Sequence, residues 1–169
     1  MREIDQSFLA ETASVLGDVT VGPGCSFWPG ASVRGDVAAI RFGTRCNVQD
    51  NATVHCVNGE PNVIGDRVTI AHNAVVHGRS VGDGTLIGMH ATVMGGVRIG
   101  RDCLVAAGAL LPPNTELPDG HTAIGFPAKT LRPLTDAERE YIAWLPTHYE
   151  RLAARHAAGD FPAVFATPD

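Results

Sequence analysis

The 169-residue chain has no apolar run long enough to span a bilayer, no cluster of Lys or Arg, few aromatic residues and no C-x-x-C motif. The first lack excludes a membrane-spanning helix and with it a membrane partner. The second, together with a net charge of -5, argues against nucleic acid as a ligand. The opening residues, MREIDQSFLA, carry charges and no apolar h-region, so no secretory leader is expected and the cytoplasm is the expected compartment. Cys25, Cys46 and Cys103 stand alone in the sequence, which fits reduced thiols used as small core residues better than disulfides or a metal cluster. Cys56 differs only in following a histidine, and an inert thiol is the expectation there too.

What the chain does have is 19 glycines and a repeat. From Leu9 an apolar residue recurs at every sixth position, through Val15, Val21, Phe27 and Val33. After three extra residues the series resumes with Phe42, Val48 and Val54, and after a four-residue slip with Ile64, Ile70 and Val76. One unit is then a residue short, and Val81, Ile87, Val93, Ile99, Val105, Leu111 and Leu117 follow. Four places after most anchors stands a small or β-branched residue, among them Cys25, Ala31, Val37, Cys46, Ala52, Val68, Ala74 and Ala91. A helix needs a period near 3.6 and a half-buried strand a period of 2. Period six, with Gly and Asp crowding the positions between, indicates short strands joined by tight corners. Three units close one triangular coil, and stacked coils share a continuous core.

The expected architecture is an all-β solenoid, a left-handed parallel β-helix of hexapeptide repeats over residues 1–126, followed by a C-terminal α-helix. Residues 127–134 read as a linker, 135–158 as the helix and 159–169 as a tail. Thr135 and Glu138 form a capping-box pattern, and Ile142, Leu145, Tyr149 and Leu152 follow at helical spacing. Pro146 falls inside that pattern and is expected to kink or break the helix.

Three of the seven histidines acquire meaning from the coil register. His55 and His77 each follow an anchor, Val54 and Val76, separated by three six-residue units and the four-residue slip. They therefore occupy one column on neighbouring coils, about 4.8 Å apart, where two imidazoles can share a metal. Arg34 lies one coil below in the same column. His72 lies two residues after Ile70 and so points around the corner, away from that pair. A three-fold trimer brings one subunit's His72 face to the next subunit's His55/His77 face, through a contact that closes into a ring. Three neutral imidazoles leaving an open coordination position fit a catalytic rather than a structural zinc. Asp50 stands directly below His72, placed to hold its imidazole.

The segments Arg34-Gly35-Asp36, Asn47-Val48-Gln49-Asp50, Ala52-Thr53-Val54-His55, Val68-Thr69-Ile70-Ala71-His72, Val76-His77-Gly78 and Ile87-Gly88-Met89 resemble the γ-class carbonic anhydrases in order and spacing. The resemblance implies a homotrimer with zinc, or iron or cobalt, held between subunits by His55 and His77 of one chain and His72 of its neighbour. It implies that carbon dioxide and bicarbonate are the substrates of a reversible hydration. Gln49 and Asp50 serve beside the metal-activated solvent, Arg34 and Asp36 at the interface, and Tyr149 approaches the site from the helix. The pattern departs from the most active members at Val37, where they can carry Glu, and in a shortened loop, Cys56-Val57-Asn58-Gly59-Glu60-Pro61. Glu60 and His90 are the candidate substitutes for proton export, and slow hydration is the expectation. Two alternatives remain: a hexapeptide-repeat acyltransferase or thioesterase acting on CoA esters, and a non-catalytic metal-stapled trimeric scaffold.

Overall fold

The structure, a computed structural model, describes residues 1–163 apart from the side chain of Leu131. Every anchor of the six-residue series lies in one of three vertical stacks. On the first face Leu9, Phe27, Val48, Ile70, Ile87 and Val105 pair in parallel register. On the second face the stack is Val15, Val33, Val54, Val76, Val93 and Leu111. On the third it is Val21, Phe42, Ile64, Val81, Ile99 and Leu117. Seen from the inside, the stacks converge on one apolar core in which Val48, Val54, Ile70, Val76, Ile87 and Leu111 are fully buried. The fold is the left-handed parallel β-helix that the period predicts. Its stability comes from each coil covering the apolar face of the next.

The corners explain the turn residues. Between the first and second faces Gly30, Asn51, Asn73, His90 and Gly108 all take positive φ, from 57° to 72°. That left-handed region favours glycine and, among other residues, tolerates Asn and His. Gly30 has a second reason to lack a Cβ, because one would collide with the side-chain oxygen of Asn51 in the coil above.

Both insertions into the six-residue count are accommodated as bulges. The strand Ser32–Phe42 bends from the second face to the third. Its pairing with Ser14–Val21 shifts between Gly17 and Val19, which faces Ile40. The three extra residues are thus looped out within 36–39. Val37, read as a core position, is 40% exposed, and Ile40 takes its place in the interior. The second insertion, after His55, folds back through a bridge between Val57 and Glu60. The two bulges meet: the Gly59 N–H donates to the Val37 carbonyl at 3.2 Å, and the Cys56 thiol to the Ala38 carbonyl at 3.3 Å.

Two other expectations are corrected, and of the two outcomes expected at Pro146 the break does not occur. Arg2–Ile4 forms an antiparallel hairpin with Ser7–Leu9, so the chain begins one strand before the repeat. The segment read as a linker contains a strand, Ala128–Pro133, antiparallel to His121–Gly125. Pairing there caps the backbone of the last coil, which would otherwise present an open edge. The helix runs unbroken from Asp136 to Ala157 with Pro146 inside it and buried. Packing on both sides of the proline outweighs its lost hydrogen bond: Ile142 and Leu145 press on Ala71, Leu86 and Leu134, and Ala153 on Phe8 and Trp28. Thr135 caps the first turn with both halves of the capping box formed. No helix among the described residues is long and apolar enough to cross a membrane. All four cysteines are free and buried, Cys25, Cys46 and Cys103 within the core column.

Candidate metal centre

Because Val54 pairs with Val76, the residues that follow them emerge side by side. His55 Nδ1 lies 3.2 Å from His77 Nε2, with ring centroids 5.2 Å apart. Two ligand nitrogens 2.0–2.1 Å from a tetrahedral zinc are separated by about 3.3 Å, so the pair has the bite of two ligands to one ion. Burial, and after it the charge of His55, holds His77 below the ordinary imidazole range. A neutral ring is the form that donates a lone pair to a metal.

The bulge after Gly35 gives this pair its carboxylate. Asp36 Oδ1 lies 2.8 Å from His55 Nε2, on the ring edge opposite His77, and Arg34 pairs with the other Asp36 oxygen. The His55 ring and then the Arg34 guanidinium hold the Asp36 carboxyl below the usual range. A carboxylate on the far nitrogen of a ligand histidine fixes the ring and raises its basicity. The family resemblance assigned Asp36 to a subunit interface, and spacing did not reveal this contact. Its signal was the three-residue insertion itself, which turns the Asp36 side chain back towards the coil above.

His72 has a matching arrangement on the neighbouring face. Its Nδ1 lies 2.9 Å from Asp50 Oδ2 in the coil below, which leaves Nε2 free. Among the described residues no three His, Cys, Asp or Glu side chains converge on one point within the chain. His72 therefore stands apart from His55 and His77, two rings on one face and one around the corner. Each of the two faces carries a histidine already oriented by its own carboxylate, a donor set suited to a borderline-soft divalent cation such as zinc.

Gln49 is buried between Trp28 below and Ala71 above, its amide nitrogen donating to Asn47 Oδ1 at 2.9 Å, with Asn47 in turn donating to Thr69 Oγ1. Tyr149 comes from the helix and packs edge-on to Trp28 and His148. Burial, with Tyr141 and Asp50 close by, pushes its hydroxyl up and keeps it a donor. Of the two candidate proton exporters, Glu60 is held by Arg79 at 3.7 Å and His90 sits on the exposed corner ridge. Burial raises the Cys56 thiol, which suits an inert core group.

The profile of the family described as bacterial transferase hexapeptide (six repeats) matches residues 80–113. The chain is 46% identical over 159 residues to a mitochondrial gamma carbonic anhydrase 1 of Arabidopsis thaliana, covering 90% of this chain and 58% of that protein. It thus spans little more than half the length of this plant relative. A protein of Methanocaldococcus jannaschii named "Probable carbonic anhydrase" is 41% identical, with 86% of this chain and 91% of that one covered. Among solved structures, a hexapeptide transferase family protein from Anaplasma phagocytophilum superposes with a TM-score of 0.85 at 34% identity, covering 89% of each chain.

Proposed function

The chain belongs to the γ-class carbonic anhydrase family, and on that footing we propose that it catalyses the reversible hydration of carbon dioxide to bicarbonate at a metal site shared between subunits of a homotrimer. The observation that carries the reading is the facing pair of ring nitrogens of His55 and His77, 3.2 Å apart. Zinc is the ion that the all-nitrogen donor set favours, with iron(II) and cobalt(II) also suited to it. When bound, the cation lowers the pKa of a coordinated water and so supplies the nucleophile, as carbonic anhydrases themselves exemplify.

The chain's own residues do the rest. His55 and His77 present ring nitrogens on one face, with Asp36 orienting His55. His72 extends its free Nε2 towards the neighbouring subunit, held by Asp50. Asp50 stands beside His72 with Gln49 next to it in the chain, and Tyr149 approaches Asp50 from the helix with its hydroxyl kept a donor. Proton export is the weak step. Where a carboxylate could collect the proton, this chain has Val37, and Glu60 is engaged by Arg79. Turnover is accordingly limited by the buffer that removes the proton. Four free buried thiols fit a reducing compartment, and we place the protein in the cytoplasm.

Structural likeness to a hexapeptide transferase sustains one other reading, acyl transfer from a CoA ester. A general base needs one histidine, and a stacked pair with an oriented carboxylate is in excess of that need. The test is hydration of carbon dioxide by metal-replete protein beside acyl-CoA turnover. Hydration above the buffer rate between about pH 6 and 9 supports the proposal, and acyl transfer without hydration refutes it.

A further inference from the structure

Asn62 is fully buried, yet it is polar and stands in a column otherwise filled by Val19 and Ile40. Its amide nitrogen donates to the His55 carbonyl at 2.9 Å and reaches the Val76 carbonyl at 3.5 Å. Its amide oxygen has no hydrogen-bond partner. The orientation of the amide is fixed by this setting, because the reversed group would set an oxygen against two carbonyl oxygens.

The reason for a polar residue here lies in the count of the repeat. The four-residue insertion follows His55, and the unit after Val76 is one residue short. In the next coil the short unit turns Arg79 outward, and Gly78 is buried against Val93 and Val97. The ladder itself holds at the histidines, where the His55 N–H donates to the Val76 carbonyl at 3.0 Å, but the insertion leaves the His55 carbonyl with no backbone donor among the described residues. A buried carbonyl left without a donor is costly, so the amide that fills the gap is under strong geometric constraint.

We propose that Asn62 is a positioning residue for the metal centre: beside the direct bond from the His55 N–H to the Val76 carbonyl, its buried amide adds a second tie between the His55 peptide and the Val76–His77 peptide and holds the two histidines at their spacing. The inference rests on the functional reading above only in taking those histidines as ligands. Groups supporting a ligand from behind typically change metal affinity by about 10- to 100-fold when removed.

The test compares Asn62→Leu, which keeps the volume and removes the donor, with Ile40→Val, which disturbs packing directly beneath and touches neither carbonyl. Zinc affinity is measured by competition with a chromophoric chelator, and the ring nitrogens of His55 and His77 are followed by NMR in metal-free protein. The expectation for Asn62→Leu is a fall in zinc affinity of about 10-fold or more with shifted ring signals of both histidines, while Ile40→Val lowers stability and leaves affinity unchanged. Asn62→Ala, which removes the donor in a smaller side chain, gives the same loss should the leucine variant not fold. Equal losses in the Asn62 and Ile40 variants would reduce Asn62 to a packing role and overturn the proposal. Should the wild type bind no zinc, the functional reading fails, and unmoved His55 and His77 signals in the Asn62 variants would separately overturn the positioning role.

Discussion

Asp50 Oδ2 sits 2.9 Å from His72 Nδ1, so the nitrogen left to bind anything else is Nε2, and among the described residues His72 forms no three-residue ligand cluster with its own chain's His55 and His77. A carboxylate that fixes tautomer and direction is worth about 10- to 100-fold in metal affinity. Asp50→Ala is expected to lower zinc affinity by that factor without unfolding the chain. Chelator competition with circular dichroism as a fold control measures it; unchanged affinity removes Asp50 from the site.

The proposed trimer is tested from the same direction. Replacing His72 by Ala takes away the residue proposed to ligate across the interface. Metal content should fall to a small fraction of wild type, and the trimer should dissociate at lower concentration. Light scattering with elemental analysis reads both, and full metal retention in a stable trimer would reject a shared site.

Proton export offers a gain-of-function test. Val37 is 40% exposed on the bulge that also carries Asp36. Val37→Glu is expected to raise kcat at low buffer concentration by about 10-fold or more, with KM nearly unchanged. At high buffer concentration the advantage should vanish, because the buffer then carries the proton in either protein.

The helix cap gives a pH signature independent of the site. Glu138 is pulled down to about 2 by Arg132 and the Thr135 backbone. Its folded value lies below its unfolded value of 4.5, so its contribution is present above that value and is lost as pH falls towards 2. Glu138→Gln should lower Tm at neutral pH and flatten the acid limb of the Tm profile. An acid limb identical to wild type would show that the pair is silent.

Core packing supplies a stability control. Ile87 is fully buried between Ile70 and Val105 in the first stack. Ile87→Ala should cost about 2–5 kcal/mol in denaturant unfolding. A cost below about 1 kcal/mol would mean that the coils do not share one core.

The stacks were legible in the sequence because the period of a solenoid is written once per coil, so a misplaced count would have broken many pairs at once. The register of His55 and His77 came with it, since both are tied to anchors. What the period does not encode was missed where the repeat is interrupted. Val37 continues the six-residue arithmetic, yet the bulge looped it out and put Ile40 inside. Asp36 was turned onto His55 by that same insertion. Asn62 meets the His55 carbonyl only because the four-residue insertion folds back between them, a relation that spacing alone cannot express. The terminal hairpins were missed for a related reason: they cap the ends of a repeat and do not share its pattern. Pro146 does not break the helix because helix propensity is local, while the contacts of Ile142, Leu145 and Ala153 that hold the helix are not.

The central claim is a metal held between chains, and native mass spectrometry of the metal-replete protein tests it most directly. The account predicts a trimer carrying one zinc per chain that loses the ion and falls apart together on chelation. A metal-loaded monomer, or a trimer that forms and persists with no metal, would contradict it.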